Sequence, residues 1–259
     1  MRVRTTVVAA GALVLCLAAG CGPDGDGGQG TGGDKGPGGK ATASASPTTG
    51  ATPEADPAPV PTSDGRTLTE AGLAKAALAT GDLPGWAFAP LPGTDERGTE
   101  EPDDRACAPI TAIINGSPDP APAATVFRTA TATTTAETGA GGDGTVVTVI
   151  LTSHRAGGAE ELMRSVRDAV RACADGFRTT SEDGPSTYTG VRALPAPKAG
   201  QESFAYQVTG SLEGVRIPLV FHLVRTGSTV ATFYAAAFSA DSAPEVPAAL
   251  VTAQAARLP

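Results

Sequence analysis

The chain has 259 residues and a net charge of −8, with 33 Gly, 22 Pro, four Cys and two His. Residues 22–66 hold 12 Gly and 7 Pro, and Val60 is their one member among Leu, Ile, Val and Phe, so this stretch cannot bury a core. The 193 residues from Thr67 onward contain 39 of those four types, enough for one thin, alanine-built domain; the acidic balance, with no Lys/Arg cluster outside one helix, argues against a nucleic-acid partner.

At the amino terminus, Arg2 and Arg4 precede an apolar run from Val7 to Ala19 that is too short to span a bilayer well, followed by small residues. This reads as a secretory signal over residues 1–20. The run Leu17, Ala18, Ala19, Gly20 and Cys21 resembles the lipobox of bacterial lipoproteins, which implies cleavage before Cys21 and attachment of membrane lipid to its sulfur. The alternative is an ordinary secreted protein cut after Gly20, which leaves the Cys21 thiol without a use. Residues 22–66 then form a Gly/Pro-rich tether, with a root-mean-square span of roughly 35–40 Å for a coil of that length. With Cys16 removed and Cys21 lipidated, Cys107 and Cys173 remain as a pair that an oxidising envelope would join; two separate buried thiols are the alternative.

Along the folded part, Thr67 and Glu70 have the spacing of a capping box opening a short helix that ends near Gly81, and Leu83 to Trp86 has Pro and Gly where a type II turn needs them. Six acids fall between Asp95 and Asp104; their spacing is not that of calcium ligands, so the run reads as a solvated loop. Cys107 to Ile114 reads as a helical turn. Val126 to Glu137 and Thr145 to Arg155 form a hairpin whose Gly-rich tip, 139–144, spells GxGxxG but leads into a strand rather than a helix, which argues against a dinucleotide. Gly158 to Phe177 is the clearest helix, with a stripe through Leu162, Val166, Ala169, Val170, Cys173 and Phe177 and arginines interleaved with acids elsewhere. Four more strands are expected at 187–194, 202–212, 215–225 and 229–238, with Pro218 placing the third at an edge or a bulge, and a last helix follows Ser242. The expected class is α+β: an antiparallel sheet of five to six strands with helices packed on one face.

No GxSxG, HExxH, P-loop or zinc spacing occurs, so neither a catalytic residue, a cofactor nor a metal site is expected, and His154 and His222 read as structural. The segments 73–78, 82–86, 171–177 and 201–206, with the spaced pair Cys107 and Cys173, resemble the extracellular sensor domain of mycobacterial PknH-type kinases. The resemblance implies an antiparallel sheet flanked by helices with a cleft for a ligand of unknown identity; the kinase sensors are expected to carry two disulfides where this chain offers one. The expected function is a non-enzymatic ligand-binding or sensor-like module of the cell envelope, lipid-anchored on the extracytoplasmic face of the membrane. A carrier of lipid or other hydrophobic molecules and a cell-wall-acting enzyme are the alternatives. If a ligand binds, the expected cleft lies at Arg216 and His222, on the face of the third strand away from its apolar row.

Overall fold

Nine strands, all but one of them bearing β-branched or aromatic residues, pair into one antiparallel sheet in the computed structural model, which describes residues 65–91, 98–133, 146–212, 215–237 and 243–259. The expected signal segment, Cys21, the tether as far as residue 64 and the GxGxxG tip lie outside the described residues. In chain order the elements are α1 (Glu70–Ala76), β1 (Trp86–Pro90), β2 (Glu101–Pro102), a 3-10 turn (Arg105–Cys107), α2 (Ala108–Ile114), β3 (Ala124–Ala132), β4 (Val146–Ser153), α3 (Gly158–Ala172), β5 (Phe177–Ser181), β6 (Gly184–Leu194), β7 (Glu202–Leu212), β8 (Val215–Thr226), β9 (Thr229–Ala236) and α4 (Ala248–Ala255). The strand order across the sheet is β1-β3-β4-β9-β8-β7-β6-β5-β2. The architecture is α+β, as expected, with nine strands in place of five or six.

The helices lie on both faces of the sheet rather than on one. Even-numbered residues of β8, Val220 and Val224, join Leu73 of α1 and Leu250 and Val251 of α4 in one core. Odd-numbered residues of the same strand, Leu219, Phe221 and Leu223, join Ile110 of α2 and the α3 stripe in a second core. The cause is visible in β8 itself, where apolar residues occupy both alternating rows, so each face has to be covered. Pro218 is likewise not at an edge: β8 is the central strand of the nine. The Pro218 carbonyl accepts from the Ala237 N–H at 3.1 Å, so the ring nitrogen faces the same neighbour, at the point where the β9 ladder ends at Ala236. The missing donor costs only the return bond to Ala237, at the end of the ladder where the pairing with β9 stops.

Local signals explain the helix ends. Thr69, not Thr67, caps α1 by accepting from the Gly72 N–H at 3.2 Å, while the Thr67 hydroxyl donates to the His154 carbonyl at 2.9 Å. Gln254 of α4 reaches the other end of α1, accepting from the Leu78 N–H at 2.9 Å and donating to the Ala76 carbonyl at 2.8 Å. The stripe of α3 is buried as expected, but the helix ends at Ala172 and Phe177 opens β5, where its ring stacks on Tyr188 at 4.9 Å. Cys107 and Cys173 form a disulfide that joins the 3-10 turn before α2 to the end of α3. Among the described residues no helix is long and apolar enough to cross a membrane.

Candidate functional site

On the α2/α3 side of the sheet, aromatic rings run across three adjacent strands. Tyr206 of β7, Phe221 of β8 and Tyr234 of β9 stack in sequence with centroids 5.0 Å apart at each step. Beyond this ladder the sheet continues through Gly210, Ile217 and Leu219, and here a cleft of about 190 Å³ opens between Ile217, Leu219 and Tyr234 on the sheet, Ile114 at the end of α2, and Glu100 with Tyr188 at its side. A second hollow of about 250 Å³ adjoins it, sharing Glu100, Ile114 and Ser186 and adding Asp183, Ser181 and Thr99. The first has mostly apolar walls and the second mixed ones, with Glu100 lining both.

Glu100 is held from two directions. Asn115, which follows α2, brackets its backbone: the Asn115 amide donates to the Glu100 carbonyl at 2.9 Å, and the Glu100 N–H donates to Asn115 Oδ1 at 3.3 Å. Gly98 permits that approach, because a Cβ there would sit 2.4 Å from Asn115 Oδ1. The carboxylate receives three hydroxyls: Tyr188 at 2.7 Å and Thr179 at 2.9 Å on Oε2, and Ser186 at 3.0 Å on Oε1. These come from neighbouring strands β5 and β6, so the sheet register itself fixes the acid. Among the described residues no Lys, Arg or His lies within ion-pair distance of Glu100.

Tyr188 is the pivot of this arrangement. Its ring lies across β7 at Gly210, its cross-strand partner, where an added Cβ would approach the ring to 3.2 Å. Burial, and then the hydrogen bond and negative charge of Glu100, push the Tyr188 phenol well above its ordinary pKa, so it stays protonated and acts as a donor. Burial also raises the phenol of Tyr234.

A third cavity, of about 340 Å³, lies at Glu160, Gln201, Arg225 and Ser228. Its charges are already committed to one another: Arg225 donates to Glu202 and Glu160 at 3.0 Å each and to Gln201 at 2.9 Å, and Glu202 also pairs with Arg167. Arg167 lies 5.2 Å from the centroid of the Phe204 ring. Thus one arginine of α3 reaches the sheet instead of the acids of its own helix, while Arg171 pairs with Asp168 as a solvent-face pair.

The two residues expected to form a cleft are not brought together. Arg216 and His222 share the face of β8 that carries Val220 and Val224, but Arg216 is exposed at the strand's start, and His222, roughly 20 Å further along at the usual rise per residue, is 7% exposed between Ala205 and Phe233. Burial pushes its imidazole down to about 4, so it is neutral. Neither residue lines the three cavities described above. The face expected to stand open is covered by α1 and α4. His154 is buried too, with Nε2 2.9 Å from the Thr152 hydroxyl and its pKa lowered by burial. Glu100 was hidden within the acidic run 95–104, read as solvated; the alternation of Ser186 and Tyr188 on one strand face is visible in sequence, but nothing local ties it to an acid some 86 residues earlier.

No family model matches the chain, and no curated protein matches it by sequence. Among solved structures, the chain is similar to the crystal structure of the extracellular domain of PknH from Mycobacterium tuberculosis, at 12% sequence identity over 75% of this chain and 96% of that one, with a TM-score of 0.48.

Proposed function

We propose that the chain is an extracytoplasmic lipoprotein, anchored through acylated Cys21 and a tether over residues 22–66, whose domain from Thr67 onward is a non-enzymatic ligand-binding or sensor-like module of the cell envelope. The observation that carries the binding reading is the Glu100 cleft: a concave, largely apolar site with a few fixed polar groups is the usual form of a small-molecule site. Its polar groups support holding a ligand rather than turning one over. The Tyr188 phenol is raised beyond use as a base near neutral pH, and three hydroxyl donors fix the Glu100 carboxylate in place. The Cys107–Cys173 bond supports an oxidising compartment.

Two measurements test this. Ile217→Trp fills the cleft from its apolar floor while keeping every hydrogen-bonding residue of the Glu100 cradle; a thermal-shift screen of small molecules on the wild type is expected to yield stabilisers whose effect this variant abolishes. Hits that persist in the variant place binding elsewhere. Mass spectrometry of the mature amino terminus is expected to find a lipid-modified Cys21, and an unmodified thiol there removes the anchor.

A further inference from the structure

We propose that the ligand of the Glu100 cleft is an organic cation: an ammonium or guanidinium head seated against Glu100, carried on an apolar body that lies over Ile217, Leu219 and Tyr234. This rests on reading the cleft as a binding site and names the chemistry the site selects.

Each carboxylate oxygen accepts about two hydrogen bonds. Oε2 is filled by Tyr188 and Thr179, whereas Oε1 accepts only from Ser186 and keeps room for one further donor. Glu100 and Ser186 line both adjoining hollows, so the acid with the open acceptor position borders the space a ligand would fill. The three hydroxyls orient the acid but leave its charge uncompensated, since among the described residues no basic side chain pairs with it. A partly buried carboxylate without a counter-charge favours a cationic partner, and Asp183 in the adjoining hollow adds a second negative group. An anionic ligand would meet repulsion from both acids. A calcium ion would want six to eight oxygens with several carboxylates among them, and the described residues hold no group of three acidic, His or Cys side chains able to supply them. The remaining wall is apolar and aromatic, which suits a carbon body behind the charged head.

The test uses three probes of one shape on the full-length chain in detergent, with heats measured against empty micelles: phenethylamine as the cation, N-acetylphenethylamine as its neutral form and 3-phenylpropionate as the anion. Phenethylamine is expected to bind at least tenfold more tightly than either of the others. Glu100→Gln, checked for an unchanged melt, is expected to weaken it at least tenfold and Asp183→Asn by two- to threefold. Ile217→Trp is expected to abolish binding. Equal or tighter binding of the neutral or anionic probe, or phenethylamine binding unchanged in Glu100→Gln, overturns the cation assignment. If Glu100→Gln does not fold, the comparison of the three probes on the wild type decides alone. Neutral or anionic probes that bind and are displaced by Ile217→Trp leave the binding-module reading standing while removing the cation; failure of all three probes at millimolar concentration removes the cation as well.

Discussion

Replacing both Cys107 and Cys173 with Ala removes a covalent tie across 66 residues of chain. The opened loop contains α2, β3, β4 and α3, so the unfolded state regains the freedom of about a third of the folded domain. In the chain-entropy account a loop of this length is worth about 4 kcal/mol at 25 °C. Alanine keeps each Cβ and removes the sulfurs of two residues that are 1% and 2% exposed, in the same core cluster as Ile110, Val166 and Phe177, which adds on the order of 1 kcal/mol of lost packing. Typical domains have about 5–15 kcal/mol of stability in total, so the loss would consume a large share. Urea unfolding is the direct assay, and it carries a second signature: the uncrosslinked denatured chain is more expanded, so the m-value should rise as the midpoint falls. The change also reaches the cleft, because Asn115 caps the end of α2 and brackets Glu100. A loss below about 1 kcal/mol with an unchanged m-value would refute the reasoning, since it would mean that the bond neither restricts the unfolded chain nor fills the core.

Three other outcomes follow from named groups. His222 is neutral in the fold with its pKa pushed down from 6.5 to about 4 by burial, so the unfolded chain takes up its proton first; its contribution is complete above pH 6.5, falls as pH drops toward 4 and then levels, by about 3 kcal/mol in all, and His222→Gln should flatten that part of a pH-stability profile while the part due to His154 remains. An unaltered profile would mean that the buried imidazole does not titrate as described. For Glu202, burial alone would raise the carboxyl, but hydrogen bonds and charge from Arg167 and Arg225 hold it below the ordinary value; its stabilisation is present above about pH 4.5 and is lost as pH falls through the lowered pKa. Glu202→Gln should cost about 1–2 kcal/mol at pH 7 by chemical denaturation and lessen the acid sensitivity. Gln254→Leu strips the Leu78 N–H and Ala76 carbonyl of their partner in a buried place and should cost about 2 kcal/mol, read as a lowered melting temperature; an unchanged melt would show that α1 does not depend on that side chain.

The elements that could be read from sequence are those whose pattern is local. β7 and β8 alternate residue by residue, and their expected bounds, 202–212 and 215–225, coincide with the strands or fall one residue short. α3 is evident from its stripe, yet the pattern carries the helix on to Phe177, four residues after Cys173, a helical interval that also fits a residue opening a strand and so hides β5. β1 and β2 are short and bear proline, and they become strands only through their partners β3 and β5. The both-sided burial of β8 was written in its second row, Pro218, Val220, His222 and Val224, but the histidine and proline made that row look polar enough to face water. Of the site, the disulfide followed from cysteine counting, while Glu100 depends on hydroxyls 79 to 88 residues away, a distance over which sequence periodicity carries no signal.

The two ends of the strand order bear on how copies of the protein meet. A sheet nine strands wide could offer two long rows of unpaired amides to a neighbouring molecule, the usual route to runaway strand addition. Here one outer strand is five residues long and finishes in Pro90, and the other consists of Glu101 and Pro102 alone. The two outermost strands therefore present little free backbone of their own, and the second pairs a charge with a residue that has no N–H to give. Strand addition at either outermost strand would thus gain few backbone hydrogen bonds.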